Sequence, residues 1–281
     1  MPNRFRKTAQ ESEALSMIEH VGILGFGNMG EALARGLRER HPSLSLLVLD
    51  KQHERRESAR AMGATVFAAE DFGRFISSVE TVVLSVKPQD LSEISSAAGG
   101  AFADCQVISI LAGTTIETLQ RQLGAAQVAR LMPSLAAQVG RAVVGVALPA
   151  DASAGLRDSA HAIAEAMGSA QELPERLMSA VTGLSGSGLA YVFAFIHALA
   201  LGGTRAGIPY QQSLQIAREV TAGAAELLSA SGEHPISAMS RVASPAGTTI
   251  EGINALEHNA FTAAVIEAVG AAAARAAELE Q

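Results

Sequence analysis

The strongest constraint on the fold is a short apolar strand that runs straight into a glycine-rich turn and then into a helical stretch. The turn follows the pattern G-x-G-x-x-G; strand and turn read Val21-Gly22-Ile23-Leu24-Gly25-Phe26-Gly27-Asn28-Met29-Gly30, and the helical stretch covers residues 31–40. The first glycine allows the sharp turn, the second lets a pyrophosphate approach the backbone, and the third lets the helix pack closely on its strand. The pyrophosphate would face the positive end of that helix. The segment therefore predicts a dinucleotide-binding unit whose cofactor contacts Gly25, Gly27, Asn28, Met29 and Gly30.

An acidic residue, Asp50, closes the next apolar run, about 20 residues after the last glycine of the turn, where an acidic residue holds a ribose 2′-hydroxyl and repels a 2′-phosphate. The only dense basic cluster of the chain follows at once, as Lys51, Arg55 and Arg56, and favours a phosphate. We therefore expect both NADP(H) and NAD(H) to serve as cofactor, with Asp50, Lys51 and Arg55 among the contacts.

Continuous apolar runs alternate with stretches of helical spacing through the first half of the chain. Such runs are typical of strands covered on both faces, as in a mostly parallel sheet with helices on each side. The sequence thus predicts an α/β fold with a Rossmann-like, doubly wound sheet. The expected strands are 21–24, 44–49, 81–86, 107–111, 128–131 and 142–148, and the expected helices include 54–62 and 116–123.

The strand signal fades after Leu148. A helix is expected at 154–167, ended by Gly168, and from there the pattern is helical to the end, with helices near 186–206, 211–231 and 259–280. Pro174 marks the boundary, so the expected organisation is a flexible tail (1–17), a dinucleotide-binding domain (18–173) and an all-α dimerisation and substrate domain (174–281). The helical stretch 189–200 is apolar on most of its circumference, which predicts a homodimer or a higher homo-oligomer.

Bulk properties exclude several classes of protein. The net charge of −7 argues against a nucleic-acid partner. The sequence has no run of about 18 uncharged apolar residues and no signal-peptide core, so we expect neither a membrane span nor export. The single cysteine, Cys105, fits a reducing cytoplasm, and the seven histidines show no paired ligand spacing, so no metal is expected.

Three further segments end apolar strands, at the edge where ligands bind in open α/β sheets. They are Ser85-Val86-Lys87-Pro88, Leu111-Ala112-Gly113-Thr114 and Leu131-Met132-Pro133-Ser134. Each alone is compatible with an ordinary turn, but together they outline a cofactor crevice that includes Val86, Lys87, Pro88, Ala112, Gly113, Met132 and Pro133. Lys87 is the only charge among them, and is either a catalytic residue contacting ribose or substrate, or a solvated strand end.

Two segments in the helical part point to chemistry. Thr182-Gly183-Leu184-Ser185-Gly186-Ser187-Gly188 places three glycines in a helical region, which indicates close approach of the backbone either to a ligand or to another helix. Ser244-Pro245-Ala246-Gly247-Thr248-Thr249 reads as a helix start with Ser244 as N-cap, Pro245 as first helical residue and free N–H groups at 246–248. Such a start is either a plain cap or a site for a substrate carboxylate formed by Ser244, Gly247, Thr248 and Thr249.

At these segments the chain resembles the pyrroline-5-carboxylate reductase family, over about residues 20–279. The specific parts of the resemblance are residues 182–191, and residues 244–250 followed by Ala255-Leu256-Glu257. The resemblance implies a Rossmann domain, a helical domain that interlocks with a second subunit, and NAD(P)H-dependent reduction of the cyclic imine 1-pyrroline-5-carboxylate to L-proline. It also implies that Thr249 is a catalytic residue, whose hydroxyl hydrogen-bonds the ring nitrogen.

The chain departs from the family pattern at several positions. Ser134 and Ala136 follow Met132-Pro133 where the family commonly has Asn and Pro, Leu189 and Ala246 replace a usual Pro and Gly, and His197 and Leu201 stand where acidic residues are common. These changes leave two alternatives open: the protein reduces a related imine such as piperideine-2-carboxylate, or it is a non-catalytic cofactor-binding paralogue. A β-hydroxyacid dehydrogenase is disfavoured, because Val192 occupies the position of the lysine that such chemistry would use.

Overall fold

The computed structural model describes residues 19–280, which form two compact units. The first unit runs to Gly186 and takes up the chain again from Ala272, and the second covers Ser187–Ala271. The boundary between domains expected at 173/174 lies before this division and remains a prediction. The expected flexible tail, residues 1–17, lies outside the described residues.

The first unit is built on an eight-stranded sheet of order β3-β2-β1-β4-β5-β6-β7-β8. Strands β1 to β6 are parallel, β7 is antiparallel to β6, and β8 is parallel to β7. The strands are β1 (His20–Leu24), β2 (Ser45–Leu49), β3 (Thr65–Phe67), β4 (Thr81–Leu84), β5 (Gln106–Ser109), β6 (Val128–Met132), β7 (Ala142–Ala147) and β8 (Gly168–Glu172). The strand order reverses between β1 and β4, which is where ligands bind in sheets of this type.

Helices and short 3₁₀ turns connect the strands of the first unit. The α-helices are α1 (Asn28–Arg40), α2 (His53–Ala61), α3 (Phe72–Ile76), α4 (Leu91–Ala98), α5 (Ile116–Leu123), α6 (Ala154–Met167) and α7 (Met178–Val181). Alternate strand residues enter two separate apolar clusters, one with Ile23 and Val48, the other with Leu24 and Leu49. Because side chains alternate across a strand, the sheet is covered on both faces.

The expected fold class is confirmed, but the sequence pattern did not predict strands β3 and β8. The prediction that the chain is helical from Gly168 onwards is wrong for residues 168–172, which form the edge strand β8 beside β7. That strand is polar and largely exposed, so no apolar run announces it. Strand β3 is only three residues long, too short for periodicity to show.

The second unit is helical. Its helices are α8 (Gly188–Arg205), α9 (Tyr210–Ser231), α10 (Pro235–Val242), α11 (Thr248–His258) and most of α12 (Phe261–Glu278). The Tyr191 hydroxyl on α8 donates to the Ala268 carbonyl on α12 at 3.1 Å. Many large apolar side chains are exposed, among them Phe193 at 55%, Val220 at 58% and Ile266 at 68%. The helices of this unit therefore bury little of their apolar surface among themselves.

Candidate active site

The glycine turn after β1 has the backbone geometry that its sequence predicts. Gly25 has φ +95°, and a Cβ there would lie 2.6 Å from the Ser85 carbonyl oxygen. A Cβ on Gly30 would lie 2.4 Å from the Gly25 carbonyl oxygen, so α1 sits directly on the turn. A Cβ on Gly27 would meet no heavy atom of the described chain within 4 Å, which leaves open space in front of the turn.

Helix α1 begins next to that open space. Gly27 is its N-cap, and no side chain caps the N–H groups of its first turn. The helix is 13 residues long, so its N-terminus carries the partial positive charge that binds phosphate. The open space before Gly27 and the uncapped helix start fit the pyrophosphate of a dinucleotide cofactor.

Asp50 holds the turn as well as standing at the expected ribose position. Its Oδ2 accepts the Phe26 N–H at 2.6 Å, and its Oδ1 accepts the Gln52 N–H at 2.7 Å. The Arg56 guanidinium donates to the carbonyl oxygens of Asp50 and Lys51 at 2.8 and 3.0 Å. Arg56 thus fixes the backbone after β2, a role that the sequence did not indicate.

The other basic residues of this region are paired at the surface. Lys51 Nζ lies 3.2 Å from Asp90 Oδ1, which links the segment after β2 to the segment after β4. Arg55 Nη1 lies 3.9 Å from Glu31 Oε2. The Lys87 side chain is exposed, and within residues 19–280 its ammonium group forms no ion pair of its own. Lys51 and Arg55 are therefore accessible for an anionic ligand, since exposed pairs contribute little.

The predicted strand-end segments come together at one edge of the sheet. Strands β1 to β6 are parallel, so the residues after Leu24, Leu49, Leu84, Ser109 and Met132 all leave the sheet at its carboxyl edge. Val86, Lys87, Pro88, Ala112, Gly113, Met132 and Pro133 thereby share this edge with the glycine turn. Their contact with a cofactor remains a prediction, and the arrangement is the one that such contact requires.

The Ser244–Thr249 segment differs from its prediction. Ser244 is not an N-cap: residues 244–247 form a tight turn in which the Gly247 N–H donates to the Ser244 carbonyl at 3.1 Å. Helix α11 begins three residues later than such a cap would place it, at Thr248 instead of Pro245, with Gly247 as N-cap and no side-chain cap. Ala246 occupies the left-handed region at φ +56°, which a helix starting at Pro245 would exclude.

The later helix start moves the free backbone donors without removing them. The N–H groups of Thr248, Thr249 and Ile250 now form the first turn, instead of those at 246–248. Helix α11 has 11 residues, and the Ser244 hydroxyl lies close to Gly247, where a Cβ would be 2.2 Å from its oxygen. The segment still combines an uncapped helix start with the hydroxyls of Ser244, Thr248 and Thr249.

The glycine-rich segment before α8 contains a π-helical turn at Thr182–Gly186. The Ser185 hydroxyl donates to the Val143 carbonyl on β7 at 2.8 Å, and a Cβ on Gly186 would lie 3.6 Å from the Met132 methyl group. These contacts hold the segment against β6 and β7 within the first unit, whereas a Cβ on Gly188 would meet no heavy atom of the described chain within 4 Å. On α8, Val192 is an apolar side chain, so the proton donor of a β-hydroxyacid dehydrogenase is missing there.

His197, one of the departures from the family pattern, has a neighbour in the second unit. Its Nδ1 lies 3.2 Å from the Tyr210 hydroxyl, and the two rings meet edge to face. Within residues 19–280, no cluster of three or more histidine, cysteine or acidic side chains is arranged to hold a metal ion.

Sequence reasoning missed a buried polar group on β6. Arg130 is only 3% exposed and donates to Glu175 and to Glu280, each at 2.8 Å. Its partners are 45 and 150 residues away, so no local pattern connects them.

Comparison with known proteins identifies the family. A sequence model of pyrroline-5-carboxylate reductase dimerisation matches residues 175–279, and one of coenzyme F420-dependent NADP oxidoreductases matches residues 20–113. The pyrroline-5-carboxylate reductase of Aquifex aeolicus is 35% identical over 269 residues, covering 95% of this chain and 99% of that protein. The chain belongs to the pyrroline-5-carboxylate reductase family.

Other pyrroline carboxylate reductases also match this chain over most of its length. The reductase of Synechocystis is 39% identical over 261 residues, covering 92% of this chain and 97% of that protein. The crystal structure of the Plasmodium falciparum pyrroline carboxylate reductase with NADP bound matches with a TM-score of 0.81 and 23% identity, covering 94% of this chain and 99% of that one. The predicted family and its class, an oxidoreductase with a nicotinamide dinucleotide cofactor, are thereby confirmed.

Proposed function

We propose that this chain reduces 1-pyrroline-5-carboxylate to L-proline with NADPH or NADH. The observation that carries the proposal is the start of α11, where an uncapped helix end lies beside the exposed Ser244 and Thr248 and the half-buried Thr249, within the region that matches the family's dimerisation model. A small carboxylate with an adjacent ring nitrogen fits such a group of donors, because helix N-termini bind anions and hydroxyls can both donate and accept.

The residues of the second unit bind and orient the substrate in this proposal. The N–H groups of Thr248, Thr249 and Ile250, with the Ser244 hydroxyl, hold the carboxylate. The Thr249 hydroxyl hydrogen-bonds the ring nitrogen and keeps the imine carbon in a fixed orientation. An iminium accepts hydride far more readily than a neutral imine, so the site binds the ring nitrogen in its protonated form.

The residues of the first unit hold the cofactor, which supplies the hydride when bound. The backbone of Gly25–Gly30 and the start of α1 take the pyrophosphate. Asp50 takes the adenosine ribose, and Lys51 and Arg55 take the 2′-phosphate of NADPH. Val86, Pro88, Ala112, Gly113, Met132 and Pro133 line the rest of the crevice. In this proposal Lys87, which is exposed and has no ion-pair partner in the described part of the chain, adds positive charge to the crevice.

A related imine acid is the second candidate, because His197 and Leu201 stand where the family commonly has acidic residues. The decisive experiment follows NADPH and NADH oxidation with 1-pyrroline-5-carboxylate and, in parallel, with piperideine-2-carboxylate. We expect a higher kcat/KM for the five-membered ring. A higher value for the six-membered ring would select the second candidate, and no turnover of either with intact cofactor binding would select a non-catalytic paralogue.

We further propose that the chain is a homodimer or a larger homo-oligomer, with the second unit supplying most of the interface. The exposed apolar side chains of α8, α9 and α12 support this, because soluble monomers rarely leave so much contiguous apolar surface uncovered. Light scattering should give at least twice the chain mass of 29.0 kDa at micromolar concentration. A stable folded monomer under these conditions would contradict the proposal.

The exposed apolar helices also bear on the cellular location of the protein. By length and hydropathy alone, the helical stretch 175–205 could cross a membrane, and so could the bent pair Thr248–His258 and Phe261–Leu279. Both lie within residues 175–279, which match the dimerisation model, so we assign their apolar faces to a second subunit. We propose a cytoplasmic enzyme without a membrane or nucleic-acid partner, in keeping with its net charge of −7.

A further inference from the structure

Arg130 is a buried cation at the centre of a polar group that joins three distant segments of the first unit. Its side chain is 4% exposed, and its two terminal nitrogens donate separately to Glu175 and Glu280. Glu280 Oε2 also accepts the Ser179 hydroxyl at 3.0 Å. A buried charge of this kind needs its partners, because removal of one leaves an uncompensated charge in the interior.

Both carboxylates act on the segment that follows β5. Glu175 Oε1 accepts the Ile116 N–H at 2.7 Å, at the first residue of α5. Next to Glu280, the Leu279 carbonyl lies 2.8 Å from the position of a Cβ on Gly113, which has φ +71°. One carboxylate thus fixes the end of the segment 110–115, and the other holds Leu279 against its middle.

The other end of this segment is anchored on the sheet. The Ile110 N–H donates to the Leu84 carbonyl at 3.0 Å, and the Leu111 N–H donates to the Ser109 hydroxyl at 3.2 Å. Ala112 and Gly113, between the two anchors, lie at the carboxyl edge of the sheet in the proposed cofactor crevice. Their conformation therefore depends on Glu175 and on the Leu279–Glu280 pair.

We propose that Arg130 and Glu280 are positioning residues for the reaction: they hold residues 279–280 against Gly113 and so preorganise the Ala112–Gly113 part of the cofactor site. This proposal rests on the proposed function, in which that segment contacts the cofactor. Neither residue touches the reacting atoms. Their effect is on cofactor affinity, because a loop that is already ordered loses less conformational freedom on binding.

The test compares Glu280→Gln with a matched control, Glu278→Gln. Glu278 is two residues away and 61% exposed, and within residues 19–280 it forms an ion pair with Arg275 alone. Cofactor dissociation constants are measured by NADPH and NADH fluorescence in the absence of substrate, together with KM, kcat and Tm. Glu280→Gln should raise the Kd and KM of both cofactors by about tenfold, the scale set by the cost of ordering one loop residue, while kcat at saturating cofactor changes less than about twofold. The control should match wild type.

A second variant covers the case in which Glu280→Gln does not fold. Ser179→Ala removes only the hydroxyl that donates to Glu280, and should raise the cofactor Kd in the same direction by about threefold, less than the loss of the charge. Unchanged Kd values in both variants, with or without a lower Tm, would overturn the proposal and leave Arg130 a purely structural residue. The wild-type assay with 1-pyrroline-5-carboxylate tests the proposed function separately, because it does not involve these variants.

Discussion

Asp50 Oδ2 accepts the backbone N–H of Phe26 at 2.6 Å, so the residue expected to bind a ribose also holds the glycine turn. Its other oxygen accepts the Gln52 N–H at 2.7 Å. Asn in its place would keep one acceptor but would turn an NH₂ group towards one of these two N–H groups. Asp50 therefore couples the adenosine end of the cofactor site to the pyrophosphate end.

The first prediction follows from this double role. Asp50→Asn should raise the KM of both NADH and NADPH, because the turn that binds the shared pyrophosphate loosens, and should lower the Tm. Loss of one hydrogen bond to a charged group gives an expected fall of about tenfold in kcat/KM with NADH. A variant that lost activity with NADH alone, with an unchanged Tm, would show that the turn does not depend on Asp50.

The second prediction concerns Arg55, whose exposed pair with Glu31 is weak enough to be exchanged for a phosphate. Arg55→Ala should lower kcat/KM with NADPH by about tenfold and leave NADH nearly unchanged, since only NADPH carries the 2′-phosphate. Arg35→Ala is the control, because Arg35 pairs with the same Glu31 at 3.1 Å.

Arg56→Ala is a poorer probe of phosphate recognition, since Arg56 supports the backbone of Asp50 and Lys51. Equal losses for both cofactors in Arg55→Ala would remove it from phosphate recognition.

The carboxyl edge of the sheet could be predicted from the sequence, and the reason is local. Each apolar run is covered on both faces and ends in a turn, so parallel strands bring their ends to one edge whatever the details of packing. Strand β8 could not be found this way, because an edge strand with exposed polar side chains has no apolar run. The contact between Arg130 and Glu280 could not be predicted from local patterns, because it joins positions 150 residues apart.

The start of α11 shows the limit of local rules. Pro245 has the same φ at the first position of a helix and at the second position of a tight turn, so it cannot distinguish the two. The structure takes the turn, with Gly247 as the later N-cap and Ala246 in the left-handed region at φ +56°. The expected donors shift along the chain, but the same hydroxyls stay beside them.

The third prediction uses that left-handed alanine, where the family commonly has glycine. Ala246→Gly should raise the free energy of unfolding by up to about 1 kcal/mol. Glycine has no Cβ to clash with the backbone in the left-handed region, and this relief exceeds the extra backbone entropy that glycine loses on folding. The control is Ala224→Gly within α9, which should lower it by about 1 kcal/mol. Denaturant titrations at fixed protein concentration measure both, and a destabilised Ala246→Gly would contradict the turn geometry.

The fourth prediction concerns pH and the surface cluster on β8. The Arg157 guanidinium, and next His161 at 2.8 Å, hold the pKa of the Glu172 carboxyl below its usual value. The stabilisation is therefore present above the ordinary glutamate pKa of about 4.3, and is lost as the pH falls through the lowered folded-state pKa. Glu172→Gln should have a lower Tm than wild type near neutral pH, and the difference should disappear in acid. Equal Tm values for wild type and Glu172→Gln near neutral pH would contradict this stabilisation.

The last prediction concerns Thr249, proposed to hydrogen-bond the ring nitrogen from the first turn of α11. Thr249→Val keeps the side-chain shape and removes the hydroxyl, which should cost about 1.5–3 kcal/mol, or a fall of roughly 10- to 150-fold in kcat/KM for 1-pyrroline-5-carboxylate. Cofactor Kd should barely change, because Thr249 belongs to the substrate site. Thr262→Val is a matched control, since that hydroxyl donates to Glu257 at 2.7 Å at the start of α12. If Thr249→Val and Ser244→Ala both kept full activity, the substrate would bind elsewhere, and Lys87 and His197 would become the residues to test.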